Sequence, residues 1–262
     1  MKYSGALHVH STHSYDGKLS LSELKSLFAS HGLSFACMTE HTDTLTPEAA
    51  ALFVAECRRL SDETFVFVPG FEVPYEDTHV LHIGTDVFIS QIATEEELRA
   101  WRAHTALVVL AHPVRNKFKI DATLRECLDG IEIWNQQYEG KSAPRTRSLR
   151  LIATERKQKP FFATGGLDLH RIEHFGQPHT HIEAESLSEA TVKNALKSGY
   201  YTFGHEGCMV TASGVWRPTL RQRLQSSLSV GVITSGKMLN AALARWGVSL
   251  PKSWRRFVRG RV

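Results

Sequence analysis

The sequence predicts an α/β protein whose strands form a closed or nearly closed barrel, followed by a basic C-terminal extension. Short apolar runs alternate with amphipathic segments over about 165 residues, which is typical of strands that alternate with helices. A chain of 262 residues is also long enough to bury a sizeable core as one such domain. An open, doubly wound sheet is the alternative architecture. Either would hold parallel strands between layers of helices.

Seven apolar runs are the predicted strands of this fold. They are short, and most are followed within a few residues by glycine, proline or a polar cluster, as buried strands are. In order they are Tyr3–Val9, Ser34–Met38, Thr64–Pro69, His79–Gly84, Ala106–Ala111, Gly130–Trp134 and Pro160–Ala163.

Five helices are predicted between these strands from their start signals. Ser20 or Ser22 could cap the segment SLSELKSLFASHG, and Thr46 caps the segment after it, where proline follows at the first helical position. Thr94 and Asp121 begin the third and fourth helices. The fifth, APRTRSLRLIATERK, is long and basic.

Composition excludes several classes of protein. No run of eighteen apolar residues is present, so no transmembrane helix is expected, and the N-terminus has no apolar core of a secretory signal. The four cysteines are scattered without a CxxC pair, which favours reduced thiols in a cytoplasmic protein over a disulfide framework.

Charge divides the chain into two regions. Ten Lys and Arg and no Asp or Glu lie between Arg217 and Val262, whereas the preceding residues have a net excess of acidic side chains. We therefore expect a catalytic or binding barrel over residues 1–205 and a basic extension over residues 206–262. The extension also carries tryptophans, so it could contact an anionic membrane surface or nucleic acid, or its first half could dock on the barrel as a helix. No obligate protein partner is evident.

Metal-capable side chains follow nearly every predicted strand. In a parallel barrel the C-terminal ends of the strands form one face, so these residues should converge on one pocket. The His-x-His pair on the first strand has a period of two, which directs both rings to one side. The candidates are His8, His10, His41, Glu72, His79, His82, His112, Asn135, Asp168 and His170, with Asp16 in the first loop.

The residue types indicate which ions such a pocket would bind. Imidazole and carboxylate ligands without thiolate suit zinc, manganese or iron. Nine ligands are too many for one ion and suit two or three divalent ions, with Glu72 bridging a pair. Clusters of this kind are typical of hydrolases that act on phosphate esters.

The motifs HVHSTHSYDG, MTEH, GFE, HVLHIG, LAHP and GLDLH, in this order, resemble the PHP family, named for polymerase and histidinol phosphatase. The resemblance covers about residues 3–205. It implies a distorted seven-stranded, TIM-like (β/α) barrel with a trinuclear metal site on its C-terminal face. It assigns His8, His10, Glu72 and Asp168 to one ion, Glu72, His79 and His112 to a second, and Asp16, His41 and His170 to a third.

Two positions depart from the family pattern. The family has T-D-H where this chain has Thr39, Glu40 and His41, so we expect Glu40 to support the site through hydrogen bonds. His82 lies where a small residue is more usual, and we expect it to pack away from the metals.

The resemblance implies a metal-dependent phosphoesterase, a hydrolase that uses a metal-activated water, with Glu72, Asp168 and His170 as catalytic residues. We expect Arg115, Arg171 and Asn135 to bind a small phosphorylated substrate such as histidinol phosphate, a nucleoside bisphosphate or a sugar phosphate; short oligonucleotides are also compatible. One alternative is a metal-stabilised, non-catalytic scaffold that the basic extension recruits to a membrane or nucleic acid. A metal-dependent amidohydrolase fits the motifs less well.

A second His-x-His pair, His179 and His181, lies outside the family pattern. It predicts a strand with one solvent-exposed face.

Overall fold

The computed structural model describes residues 1–88, 90, 94–140 and 142–216. The described residues within Met1–Trp216 form one compact unit. The predictions for the basic extension beyond Trp216 lie outside the described residues. The strands of this unit are β1 (Lys2–Val9), β2 (Phe35–Met38), β3 (Glu40–His41), β4 (Val66–Val68), β5 (Gly70–Tyr75), β6 (Thr78–Ile83), β7 (Leu107–Leu110), β8 (Gly130–Asn135), β9 (Phe162–Gly166), β10 (His179–Glu183), β11 (Tyr201–His205) and β12 (Cys208–Thr211).

The helices begin where the sequence signals place them. Ser20, and not Ser22, caps the first helix, and Thr46, Thr94 and Asp121 cap the next three, because each side chain accepts a hydrogen bond from a backbone N–H three residues ahead. The helices are α1 (Leu21–Ser30), α2 (Pro47–Leu60), α3 (Glu95–Arg102), α4 (Ala122–Cys127), α5 (Gln136–Glu139), α6 (Thr146–Glu155) and α7 (Glu189–Ser198), with a 3-10 turn at Ile172–His174.

The described strands form two six-stranded sheets. The first has the order β12-β11-β10-β1-β2-β4, and the second has the order β3-β5-β6-β7-β8-β9. All seven predicted strands are present, and the second His-x-His pair lies on β10 as predicted. Strands β3, β5, β11 and β12 and helix α5 were not predicted, because they are short or closely follow another element. Helix α7 was also not predicted, although it is ten residues long and Ser188 caps it.

The expectation of parallel strands throughout is wrong at β6 and at β10–β12. Strand β6 is antiparallel to both β5 and β7, and β10 is antiparallel to β1 and β11. Strands β5 and β6 are joined by the two residues Glu76 and Asp77, and a connection this short can only reverse the chain. Glu76 has a φ of +47°, which such tight turns require.

Backbone hydrogen bonds also join β1 to the end of the second sheet. The N–H of Leu167 donates to the carbonyl of Leu7 at 2.9 Å, and the N–H of His10 donates to the carbonyl of Leu169 at 2.9 Å. The chain passes from β2 into β3 and from β4 into β5 after one residue each. The C-terminal ends of β1, β3 and β9 therefore lie close together.

A continuous apolar core supports this end of the strands. Large side chains such as Phe35, Phe67 and Trp134 are buried between the strands and the helices. All four cysteines are free and buried, as the sequence predicted. Within the described part of the chain, no helix is both long and apolar enough to cross a membrane.

Candidate metal centre

The predicted ligands meet at one end of the strands. His8 lies near the end of β1, His41 ends β3, and His112 and Asp168 follow β7 and β9 by two residues. His79 lies at the start of β6, yet it reaches the same place because β6 runs antiparallel to its neighbours. Although β6 runs in the opposite direction, one of its histidines therefore still lies with the ligands from the other strands.

The carboxylate of Glu72 lies at the centre of the cluster and is buried. Its Oε2 is 3.1 Å from Nε2 of His8, 3.2 Å from Nε2 of His10 and 3.5 Å from Nδ1 of His41. Its Oε1 faces a second pair of rings, with His79 Nδ1 at 2.7 Å and His112 Nε2 at 2.9 Å. One carboxylate therefore faces two sets of imidazoles, as a bridging ligand must.

Two aspartates complete the arrangement. Asp168 Oδ1 is 3.5 Å from His8 Nε2 and 3.6 Å from His170 Nδ1. Asp16 Oδ2 is 3.0 Å from His170 Nε2 and 3.6 Å from His41 Nε2. Three groups of residues each offer ligand atoms that lie within 4.8 Å of one another inside the group. The groups are His8, His10, Glu72 and Asp168; His41, Glu72 and His79; and His10, His41 and His170.

Backbone conformation at the site is unusual. His8, His112 and Asp168 have φ values of +60°, +24° and +52°, in the region that side chains with a Cβ seldom occupy. Such residues persist only where the surroundings hold them, at a cost of about 1–3 kcal/mol each, and they are concentrated at functional sites. The three turns direct the side chains of three different strands into one cluster.

Burial and charge oppose each other within the cluster. Burial disfavours protonated His8, but the carboxylates of Glu132, Asp168 and Glu72 outweigh it and hold the pKa of His8 well above its usual range. Burial also disfavours the Glu72 carboxylate, but His8 and the other rings keep its pKa well below the usual value. His10 differs, since burial dominates and lowers its pKa to about 3.

The donor set fits divalent metal ions. Nε2 of His10, Nδ1 of His112 and Oδ1 of Asp16 are buried without a hydrogen-bond partner. Buried polar atoms are normally satisfied, so orphan atoms on three of the predicted ligands fit residues that would hold ions. Imidazole and carboxylate donors suit zinc, manganese or iron(II).

Glu132 is a buried residue of the site that the sequence analysis did not identify. Its Oε1 accepts a hydrogen bond from Nδ1 of His8 at 2.8 Å, and its Oε2 accepts from the backbone N–H of His112 at 2.8 Å. Asn135 Nδ2 also donates to Oε2 of Glu132 at 2.9 Å and lies 3.3 Å from Oδ2 of Asp168. The sequence does contain a signal for Glu132: it is a single acidic residue in the apolar run GIEIWN, and a buried strand normally holds apolar residues there.

Asn135 was predicted to contact substrate, and the structure places it beneath the cluster. It is fully buried, and its Oδ1 accepts hydrogen bonds from the N–H groups of Gln137 and Tyr138. Both ends of the amide are thus engaged within the protein, and its predicted contact with substrate stays a prediction.

Glu40 holds the first loop. Its carboxylate accepts hydrogen bonds from the N–H and hydroxyl of Ser11 at 3.0 and 2.7 Å, and from the hydroxyl of Ser14. Ser14 in turn accepts from the N–H of His41 at 2.9 Å. Glu40 therefore supports His41 through Ser14, consistent with the supporting role expected for it.

His82 packs away from the site, as predicted. It is fully buried, its Nδ1 is 3.3 Å from the hydroxyl of Thr105, and its ring packs edge-on against Trp101. If β6 ran parallel to its neighbours, its C-terminal end, which carries His82, would face the metals. The antiparallel direction of β6 puts the His79 end there instead.

The predicted substrate cations are at the surface around the cluster. The guanidinium of Arg115 lies 5.6 Å from the ring centre of Tyr138, and that ring is 5.2 Å from the ring of His112. Arg171 is exposed, and its Nε is 2.9 Å from Nε2 of His174, whose ring neighbours that of His170. Each arginine is thus one side chain removed from a predicted metal ligand, Arg115 in the segment after β7 and Arg171 in the segment after β9.

Solved structures share this architecture. A two-domain protein from Bacteroides vulgatus that contains a predicted PHP-like metal-dependent phosphoesterase matches with a TM-score of 0.59 at 14% identity, over 80% of this chain and 66% of that one. PsfC from Pseudomonas syringae matches with a TM-score of 0.56 at 16% identity, over 87% and 97%. The lesion-specific endonuclease PfuEndoQ from Pyrococcus furiosus matches with a TM-score of 0.51 at 16% identity, over 80% and 59%.

These matches define the class of fold. The chain has the fold of PHP-like metal-dependent phosphoesterases, and the resemblance predicted from its motifs is confirmed at that level. It spans somewhat less than two thirds of the Bacteroides and Pyrococcus proteins. No protein-family model and no curated protein matches the sequence.

Proposed function

We propose that this protein is a PHP-family phosphoesterase that hydrolyses a small phosphorylated substrate at a centre of two to three divalent metal ions. The observation that carries the proposal is the position of Glu72, whose two oxygens face two separate groups of imidazoles. We assign His8, His10, Glu72 and Asp168 to one ion, Glu72, His79 and His112 to a second, and Asp16, His41 and His170 to a third.

We further propose that the two sheets close into the family's distorted seven-stranded barrel. The hydrogen bonds from β9 and the residues after it to β1 support this closure, since they connect the first and last predicted strands. Closure accounts for the convergence of ligands from both sheets on one end of the strands.

Bound divalent ions would supply an acidified water and positive charge for the phosphate oxygens. The chain's own residues then have three tasks. Glu72 and Asp168 keep the negative charge that retains the ions. Glu132 and Asn135 hold the rings and Asp168 in place. His170, partly exposed and 3.0 Å from Asp16, holds the third ion at the open side of the cluster.

The substrate would extend from the metals towards Arg115. A cavity of about 420 Å³ lies between the β5–β6 turn and the loop after β7, and Arg115, Lys117 and Lys119 contribute to its wall together with Glu76 and Asp77. A volume of this size fits a small molecule or one or two nucleotides. Arg115 can pair with a phosphate oxygen by bidentate hydrogen bonds.

The alternative is a metal-stabilised scaffold without catalytic activity, recruited to a membrane or nucleic acid through the basic extension. The partly exposed rings of His79 and His170 argue for catalysis, because a purely structural site is normally closed to solvent. We also propose a cytoplasmic location, which the reduced state of all four buried cysteines supports.

One experiment on purified protein tests the proposal. Metal content per chain is measured by elemental analysis for wild type and Asp168→Ala, and both are assayed on p-nitrophenyl phosphate with added Mn²⁺. We expect two to three ions in wild type, and phosphate release that Asp168→Ala abolishes. Metal binding without turnover of this or any other phosphoester favours the scaffold. Absence of bound metal overturns the proposed centre.

A further inference from the structure

The surroundings of Glu132 single it out among the buried carboxylates of the described residues. Its Oε1 is 2.8 Å from Nδ1 of His8, and its Oε2 accepts from the N–H of His112 and from Asn135. It does not belong to any of the three ligand groups. Both histidines that it contacts, His8 and His112, have positive φ values. This one carboxylate therefore bonds to two of the three residues of the site with an unusual backbone conformation.

The His8 ring lies between one carboxylate on its Nδ1 side and two on its Nε2 side. Its Nδ1 faces Glu132, whereas its Nε2 faces Glu72 at 3.1 Å and Asp168 at 3.5 Å. An acceptor at Nδ1 keeps the proton on that nitrogen and leaves the lone pair of Nε2 free for a metal. Glu132 therefore decides which nitrogen of His8 can serve as a ligand.

Gly166 leaves the space that this carboxylate needs. A Cβ at Gly166 would lie 2.0 Å from Oε1 of Glu132 and 2.7 Å from Cβ of His8. Gly166 ends β9, two residues before Asp168. The absence of a side chain at this position is thus explained by the contact between Glu132 and His8.

We propose that Glu132 is a positioning residue that fixes the tautomer of His8 and the backbone at His112, and so sets the affinity of the centre for metal. The proposal rests on the metal centre proposed above and adds to it a residue that does not itself bind the ions.

The test is calorimetric titration of metal-free protein with Mn²⁺, without reference to activity. We expect Glu132→Gln to weaken binding about 10- to 100-fold, the usual effect of losing a carboxylate that orients a metal-binding histidine. Both oxygens of Glu132 accept hydrogen bonds, and the glutamine side chain would replace one of these acceptors with an NH₂ donor. Glu132→Asp keeps the charge and should lie between wild type and Glu132→Gln.

Glu155→Gln is the matched control. Glu155 is also a buried carboxylate and pairs with Arg125 at 2.7 Å, but it contacts none of the proposed ligands. We expect Glu155→Gln to lower the melting temperature and leave Mn²⁺ affinity unchanged. Equal affinity in wild type and folded Glu132→Gln would overturn the positioning role while leaving the metal centre intact. A wild-type protein that binds no Mn²⁺ would instead overturn the centre.

A second measurement needs no variant and covers the case in which the substitutions prevent folding. Nitrogen-15 NMR of the histidine rings in wild-type protein loaded with Zn²⁺ reports which nitrogen of each ring carries the proton. We expect His8 to be protonated at Nδ1. Protonation of His8 at Nε2 would contradict the proposal.

Discussion

Two His-x-His pairs lie on neighbouring, hydrogen-bonded strands and have opposite surroundings. His8 and His10 are fully buried, and both place Nε2 within 3.2 Å of Glu72. His181, on β10, bonds instead to the hydroxyl of Ser4 at 2.8 Å, and His179 lies 3.3 Å from the side-chain amide of Gln177. Identical spacing therefore does not define a metal site; the buried carboxylates opposite the rings do.

Burial acts on His8 differently from the way it acts on the second pair. At His179, burial without a neighbouring carboxylate lowers the pKa to about 4, and burial also lowers the pKa of His181. At His8, burial is offset by Glu132, Asp168 and Glu72, and the pKa is raised. The carboxylates thus compensate the burial of His8, whereas burial dominates at His10, as it does at His179 and His181.

Substitution of the shared carboxylate should have the largest effect on this comparison. We expect Glu72→Gln to remove at least one bound ion and to reduce phosphoester hydrolysis more than about 100-fold, beyond the effect of losing a residue that only orients a ligand. The physical reason is that Glu72 alone faces both groups of rings. Elemental analysis and a phosphate-release assay measure the two effects. Full metal content in the variant would show that Glu72 does not bridge ions.

Matched substitutions in the two pairs test the comparison directly. We expect His10→Ala to lower metal content and activity, and His181→Ala to leave both at wild-type values. Loss of the Ser4–His181 hydrogen bond should reduce the free energy of unfolding by only about 1 kcal/mol. Metal titration and urea denaturation of both variants provide the measurements. An equal loss of metal in both variants would mean that the second pair also belongs to a metal site.

Substitution of Arg115 should have a smaller effect, on substrate binding and not on metal binding. Arg115 contacts Tyr138 and is exposed. We expect Arg115→Ala to raise KM for a substrate with a second phosphate about 10-fold, as loss of a charge-assisted hydrogen bond would. Metal content should not change. Lys2→Ala, at the opposite end of β1 from the site and paired with Glu183, is the control. A normal KM in Arg115→Ala would remove this arginine from the substrate site.

A further effect, on stability alone, concerns a carboxylate that is buried away from the histidines. Burial raises the pKa of Glu139 to about 8, and the hydroxyl of Ser148 only partly offsets it. Between about pH 4.5 and 8 the unfolded chain loses this proton while the folded chain keeps it, so stability falls as pH rises. We expect Glu139→Gln to remove this fall, which is at most about 1.4 kcal/mol per pH unit.

Urea unfolding at pH 5 and pH 8 measures the difference. The variant should gain stability over wild type at pH 8 and gain little at pH 5. A parallel decline in both proteins would show that Glu139 ionises normally in the folded state.

Local signals in the sequence predicted most of the elements and all nine proposed ligands. Ser20, Thr46, Thr94 and Asp121 mark helix starts because capping depends only on the next three residues. The apolar runs mark buried strands for the same local reason. The ligand motifs were recognisable because each consists of adjacent residues, such as the histidines of HVHSTH.

The fold explains why these residues meet. Motif position already assigned His79, and not His82, as the ligand, and the antiparallel direction of β6 explains how that ring comes to lie against Glu72; strand direction depends on pairing between distant segments. The acid in GIEIWN is a local signal for Glu132, but the ring that it contacts is 124 positions away in sequence, so the segment does not show its partner. Caps, apolar runs and ligand motifs lie within short segments, whereas the assembled site depends on long-range strand pairing, because convergence requires contacts that no short segment contains.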